Sequence, residues 1–541
     1  MKFKMFTNTL GKCLRVVCVG VLASLAVACS DDDENASATA PFDPSQPVTI
    51  SYFTPESGGY QDQILIYGSN FGTNKEALEL EIGGKKAVIV SCMSDKLYAY
   101  VPAGAFDGTV TLSVIDGEGN KHTATAPTKF MYNRKTVVGT LCGYKNANDD
   151  QGVTWGPFST ITGFNQEGTL AFDPVYPNRL YITYDFGEGY IAELDLDARV
   201  GKRLISASRF GTKRLRNIAF TKAVEGSKYL TKDGDYMLVS TDRDDNQFKS
   251  TSVWIVKRGG DGTFSDSNPT NVLAAYKQCN GVAVHPVNGE VYFNSYSNGE
   301  LFRLDLEKYF QLQDPSYLAE NPDATAWTGY KDDGCFKELF KIMDPSYEFT
   351  ITIHPSGDYA YLTVINRNYI LRTDYDWDKK EFTTPYIIAG SNGQKGWEDA
   401  VGSNSRVSRP YQGVFVKNQK YVEEGRDDVY DYYFADCTNF CVRYITPDGM
   451  VRTYAGHSPS TDGNIWGTED GDLRQQARFR DVTGLVYDEA REKFYVLDHN
   501  NRRIRTIGEE DANTTTVIPD TPETPGEEGG EETPENPDNQ E

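Results

Sequence analysis

The chain has 541 residues and a formal net charge of −24, from 78 acidic and 54 basic residues. So acidic a chain repels polyanions, which excludes nucleic acid as a partner but carries no penalty for neutral ligands such as sugars. Aromatic residues make up 12%, including 34 tyrosines, and the mean hydropathy is −0.53, a pairing that suits a wet, β-rich chain better than a helical enzyme with a large aliphatic core.

Residues 1–28 read as an export signal: Lys2, Lys4, Lys12 and Arg15 form a positive start without an acid. The apolar run Val16 to Ala28 that follows is too short to cross a bilayer comfortably. It ends in Leu25-Ala26-Val27-Ala28-Cys29, which resembles the lipobox of bacterial lipoproteins, although Leu25 sits one place further out than the usual leucine. The resemblance implies that Cys29 is lipidated and becomes the first residue of the mature chain; an ordinary signal with an incidental cysteine is the alternative. Behind it, Ser30-Asp31-Asp32-Asp33-Glu34 resembles the surface-export signal of Bacteroidetes lipoproteins, which implies an outer-membrane protein facing outwards. Four acids beside the anchor suit anionic lipid poorly, so the acyl chains must hold the protein to the membrane. Residues 29–46 are read as an acidic linker, for which a plain solvated spacer is the competing explanation.

Residues 47–132 form the first expected domain. The segments Ile64–Tyr67, Ala87–Val90, Leu97–Val101 and Val110–Val114 recur at short spacing between Gly, Asn and Pro turns, the pattern of a small β-sandwich. Ile50-Ser51-Tyr52-Phe53-Thr54-Pro55, Gly58 and Ile66-Tyr67-Gly68-Ser69-Asn70-Phe71-Gly72 closely resemble the IPT/TIG family, an immunoglobulin-like fold. That resemblance implies a spacer or interaction module without chemistry of its own.

From 134 to 507 the chain repeats a unit of an apolar strand, a turn and a second strand. Copies start at Leu170, Gly281, Thr350, Gly413 and Gly484, with a more degenerate one around Asn217–Phe220 and Tyr236–Ser240. The two last, Asp436–Ile445 and Asp498–Ile507, together with Thr453-Tyr454-Ala455-Gly456, resemble NHL repeats; the earlier copies keep the rhythm but lose the Asp and Asn. The expected architecture is all-β, an immunoglobulin-like sandwich followed by a six-bladed propeller. Thr136–Gly143 reads as an outer strand that precedes the first inner one, so it is expected to close the ring; Thr514, Thr515, Val517 and Ile518 compete for that place. From 508 to 541 the chain is acidic, Pro-rich and without Lys or Arg, a composition that reads as a disordered tail.

Loops that leave an outer strand for the next inner strand share one face, and three of them carry a tryptophan. Trp155 enters blade one, Trp397 blade five and Trp466 blade six, three neighbours in a closed ring. Exposed indoles flanked by Asn and Asp suit the C–H faces of sugar rings; folding back onto their own loops is the competing expectation. A second candidate set stands at the starts of inner strands, near the channel mouth: Arg216, Asn217, Asn280, Arg409, Tyr411 and Asp481. These residues would line a pocket or else satisfy loop backbone.

No catalytic residue and no metal site is assigned. The chain has five histidines, of which His285 and His354 occupy the repeat turn that Asp173 fills elsewhere, a capping position. His457 and His499 stand near loops, and no three-histidine set of the kind found in propeller lyases remains. Asp242-x-Asp244-x-Asn246 resembles a calcium loop, but Gln247 replaces the turn glycine and Val253 the bidentate Glu, so calcium is weakly supported and no cofactor is expected. Cys92, Cys142, Cys279, Cys335, Cys437 and Cys441 show no metal-ligand spacing, and their pairing is not readable. The expected function is a surface lipoprotein that binds glycan for an uptake system, with outer-membrane uptake proteins as further partners. A polysaccharide lyase or hydrolase and a protein-binding scaffold are the alternatives.

Overall fold

The computed structural model describes residues 39–143, 153–164, 166–184, 189–212, 214–242, 251–275, 279–295, 299–342, 348–459 and 463–510. The chain divides between Asn133 and Arg134 into two compact units. Cys29, the export signal and the acidic tail beyond residue 510 lie outside the described residues, as do Asp244, Asn246, Gln247 and the competing closing segment around Ile518.

The first unit is a sandwich of two sheets. One pairs Thr49–Thr54, Gln63–Ser69, Lys96–Tyr100 and Val88–Cys92 in that spatial order; the other pairs Lys85–Lys86, Leu78–Ile82, Val110–Ile115 and Lys121–Thr125. Val110–Ile115 alternates buried and half-buried side chains, as a strand with one face on a core must. Ile64, Ile66, Leu80, Leu97 and Leu112 are fully buried and meet in that core. Gly68 shows why this position carries no side chain: a Cβ there would lie 1.9 Å from the Thr49 carbonyl oxygen of the neighbouring strand.

The second unit is a six-bladed propeller. Among the described residues its inner strands are Leu170–Phe172, Arg214–Phe220, Val282–Val284, Phe349–Ile353, Pro410–Lys417 and Val482–Asp488, each followed outwards by antiparallel partners. The inner strands run in parallel around the axis. Thr350 and Thr352 in blade four donate to the carbonyls of Tyr411 and Gly413 in blade five, and Thr169 in blade one donates to the Arg216 carbonyl in blade two. All six therefore begin on one face.

The ring is closed from the N-terminal side, as expected. Thr136–Cys142 pairs antiparallel with Arg503–Glu509 and becomes the fourth strand of blade six. Val138 of this strand is fully buried, and Thr140 donates its N–H and hydroxyl to Asp470, both at 3.1 Å. Closure hides two sheet edges that would otherwise offer unpaired backbone groups to another chain.

The repeat turns carry the expected caps. Asp173 accepts the N–H groups of Val175 and Tyr176, and His285 Nδ1 faces those of Val287 and Asn288. His354 Nδ1 does the same for Ser356. Burial lowers the His285 pKa below the ordinary histidine value, which leaves its ring nitrogen free to accept.

Candidate functional site

Every blade contributes a polar side chain where its inner strand begins: Glu167, Arg216, Asn280, Glu348, Arg409 and Asp481, from blades one to six in turn. Opposite charges meet across this mouth. Arg409 makes two hydrogen bonds to Glu167, at 2.5 and 2.7 Å, and so ties blade five to blade one past blade six. Arg216 reaches Glu348 at 3.5 Å, which ties blade two to blade four past blade three. Below them Gln412 accepts the N–H groups of Leu170 and Leu485 and donates to the Leu170 carbonyl, spanning blades five, six and one.

Burial pushes the Glu167 carboxyl up, but the hydrogen bonds and charge of Arg409 more than offset this and hold it below the usual carboxylate range. Burial likewise keeps His499, beside Glu167 and Asp481, below the ordinary histidine value despite those two acids. Its Nδ1 is buried without a hydrogen-bond partner among the described residues. Asn280 is 1% exposed, and its Nδ2 is also buried without a partner among the described residues. Arg409 and Asp481 both hold positive φ angles, 56° and 58°, a conformation a non-glycine residue keeps only where its surroundings impose it.

Two sequence-predicted residues, Tyr411 and Asn217, stand elsewhere than at the mouth. Tyr411 is 2% exposed and packs in the core between blades five and six rather than lining the mouth. The physical reason is a register shift between Pro410 and Gly413, which breaks the alternation of the strand and turns Gln412 towards the axis instead. Asn217 uses its Oδ1 to accept the Val282 N–H, so it joins blades two and three. Arg216 is buried and charge-paired, and Asp242 faces Arg214 at 3.2 Å and Arg216 at 4.0 Å. That carboxylate is neutralised by arginine where a calcium loop would leave it to a cation. Glu167, Glu348 and Gln412 were missed by sequence reading; a faint signal existed, since Glu167 and Glu348 each stand six residues before the turn caps Asp173 and His354.

The three tryptophans do not form one platform. Trp155 lies edge-on between Phe164 and Tyr190, with centroids at 5.9 and 5.8 Å, beside the outer strand of blade one. Trp397 stacks on His457 at 3.7 Å and donates its Nε1–H to Thr453 at 3.0 Å. Trp466 is different: it is 51% exposed, and Arg480, the residue before Asp481, lies 4.8 Å over its ring. One indole face is thus pinned by a cation next to the mouth.

What fixes the Trp397 and Trp466 loops is the repeated Asp–Asn–Arg pattern. In blade six, buried Asp498 accepts from Asn501 and Arg505, while Asn501 holds the Gly467 carbonyl and Arg503 the Thr468 carbonyl. Arg505 holds the Glu469 carbonyl and the Asp470 carboxylate. Blade five repeats the arrangement with Asp436, Asn439 and Arg443, which grip Gly396, Glu398 and Asp399 around Trp397.

The fold and this face define a two-part β protein, an immunoglobulin-like unit followed by a propeller with a polar-lined mouth. Residues 47–132 match the IPT/TIG domain family. Three solved Bacteroides structures are similar over 87% of this chain. One from Bacteroides thetaiotaomicron VPI-5482, named a candidate phosphatase, is 48% identical with a TM-score of 0.69 and 99% of its own length covered. A second from the same strain, an auxiliary nutrient binding protein, is 37% identical, with a TM-score of 0.70 and 100% covered. A third, an auxiliary nutrient binding protein from Bacteroides ovatus ATCC 8483, is 28% identical, with a TM-score of 0.60 and 100% covered. The chain belongs to the family of these Bacteroides proteins. Comparison with curated proteins gives no match.

Proposed function

We propose that this protein is a lipid-anchored, surface-exposed binding protein that captures glycan on the upper face of its propeller for an outer-membrane uptake system. The observation that carries the reading is Trp466, half exposed, held by Arg480 and by a loop anchored at three successive carbonyls, beside a mouth to which every blade adds a polar group. An indole face with fixed donors and acceptors near it is what a sugar ring requires. The names of two relatives, auxiliary nutrient binding proteins, point the same way. Cys29 and the acids behind it support the anchor and its orientation, and the Asp–Asn–Arg pattern supports kinship of the last two blades with NHL repeats.

The test is native gel electrophoresis of the folded chain through gels cast with xylan, galactomannan, glycogen, pectin or mucin. Retardation by at least one gel, lost in Trp466→Ala without a change in melting temperature, supports the reading. Release of reducing sugar from a retained polysaccharide would replace it with an enzymatic one, and release of phosphate from a phosphorylated substrate would favour the other relative's name.

A further inference from the structure

Blade one has a second concave site, away from the mouth. A cleft of about 400 Å³ opens between its outer strand Val200–Ser206 and the connection that carries Asp266 in blade two. That volume falls within the range of ligand pockets, roughly 300–1,000 Å³. Its floor is apolar, from buried Ile205 and the ring of Tyr190, and its walls are polar, from Arg203, Ser206, Ser208 and Asp266.

Two of these walls are held in place. Asp266 accepts the N–H of Ser206 at 2.7 Å and its hydroxyl at 2.8 Å, one on each carboxylate oxygen. Each oxygen keeps a further lone pair for a ligand. The Arg203 guanidinium lies 4.5 Å over the Tyr190 ring, a contact that holds it at the cleft. Neighbouring hydroxyls of a pyranose are each donor and acceptor, so one can donate to Asp266 while the next accepts from Arg203. The Asp266 carboxylate disfavours phosphate, sulfate or uronate at the same place.

We infer that this cleft is a second saccharide subsite, which takes one or two neutral sugar units of the polymer that the mouth and Trp466 capture. The inference rests on the glycan reading. A chain that spans both places is held at two points, and the second contact acts at a high effective concentration.

The experiment uses the full chain with Arg203→Ala, Asp266→Asn and Ser208→Trp, all exposed side chains, the last of which fills the cleft without removing a contact. Affinity for the retained neutral polysaccharide is measured together with the stoichiometry of its disaccharide by calorimetry. Each variant is expected to weaken polymer binding by about tenfold or more and to lower the disaccharide stoichiometry from two to one, with Trp466→Ala removing the other site. Wild-type polymer affinity and stoichiometry in Ser208→Trp, alongside a loss in Trp466→Ala, overturn the cleft alone. Failure of the unaltered protein to bind any polysaccharide overturns both the cleft and the reading it rests on, and binding of acidic polysaccharide alone overturns the cleft only.

Discussion

Arg505→Met tests how the sequence pattern holds the candidate site. Arg505 is fully buried and makes hydrogen bonds to Asp498 at 2.9 Å and to Asp470 at 2.5 Å, besides the carbonyls of Glu469 and Arg478. A methionine fills similar volume but leaves Asp498 buried without its charge partner, a change that costs about 3–5 kcal/mol. For a unit of this size, unfolding as one, the loss amounts to a fall in melting temperature of roughly 4–6 °C. The pH dependence has a definite sign. Burial pushes the Asp498 carboxyl up to about 6, although Arg505 opposes it. Without the guanidinium it rises further above its unfolded value, so stability is fully present below the unfolded pKa and is lost as pH rises through the folded one. The deficit of Arg505→Met against wild type should therefore grow between pH 5 and pH 8, as read by thermal melts followed by circular dichroism. Binding should weaken too, since the Trp466 loop loses its grip. An unchanged melting temperature, or a deficit equal at both pH values, would refute the reasoning.

Other consequences follow from the same contacts. Val138→Asp places a carboxylate in the core of the closing strand, and a loss above about 3 kcal/mol, with faster proteolysis of the propeller, is expected. Glu167→Gln breaks the charge-assisted pair with Arg409 and should cost about 1–3 kcal/mol at pH 7. Because Glu167 is held below the ordinary carboxylate range, that stability is present above its unfolded pKa and disappears as pH falls through the folded one, so wild type and variant should converge in acid. Trp397→Ala should lower stability by about 2 kcal/mol through loss of the His457 stack, whereas Trp466→Ala should leave the melting temperature unchanged and remove ligand binding.

Much of this architecture is legible in the sequence because it rests on local periodicity. Alternation and turn residues mark the sandwich strands, and the outer-strand pattern of Thr136–Gly143 ahead of the first inner strand points to the closure seen with Arg503–Glu509. The site is less legible, for two physical reasons. Register shifts between Leu215 and Asn217, Pro410 and Gly413, and Val482 and Gly484 rotate side chains at the strand starts, so simple alternation places Tyr411 at the mouth when Gln412 is there. The partners that absorb Trp155 and Trp397 also come from other strands: Tyr190 lies on the third strand of blade one, and Thr453 and His457 on and just after the outer strand of blade five. Trp466 is left 51% exposed with Arg480 over its ring, a contact made by a residue fourteen positions further on, which no local signal reveals. The Asp–Asn–Arg spacing was visible as a repeat motif, but its purpose, to fix the loop of the preceding connection, depends on closure of each blade in three dimensions.

The most direct test of the central claim is the affinity of the folded chain for neutral polysaccharide, measured for wild type and Trp466→Ala side by side. Saturable binding without product, abolished in the variant at unchanged melting temperature, is the expected result. Equal binding by the two proteins, or turnover of the polysaccharide, would contradict it.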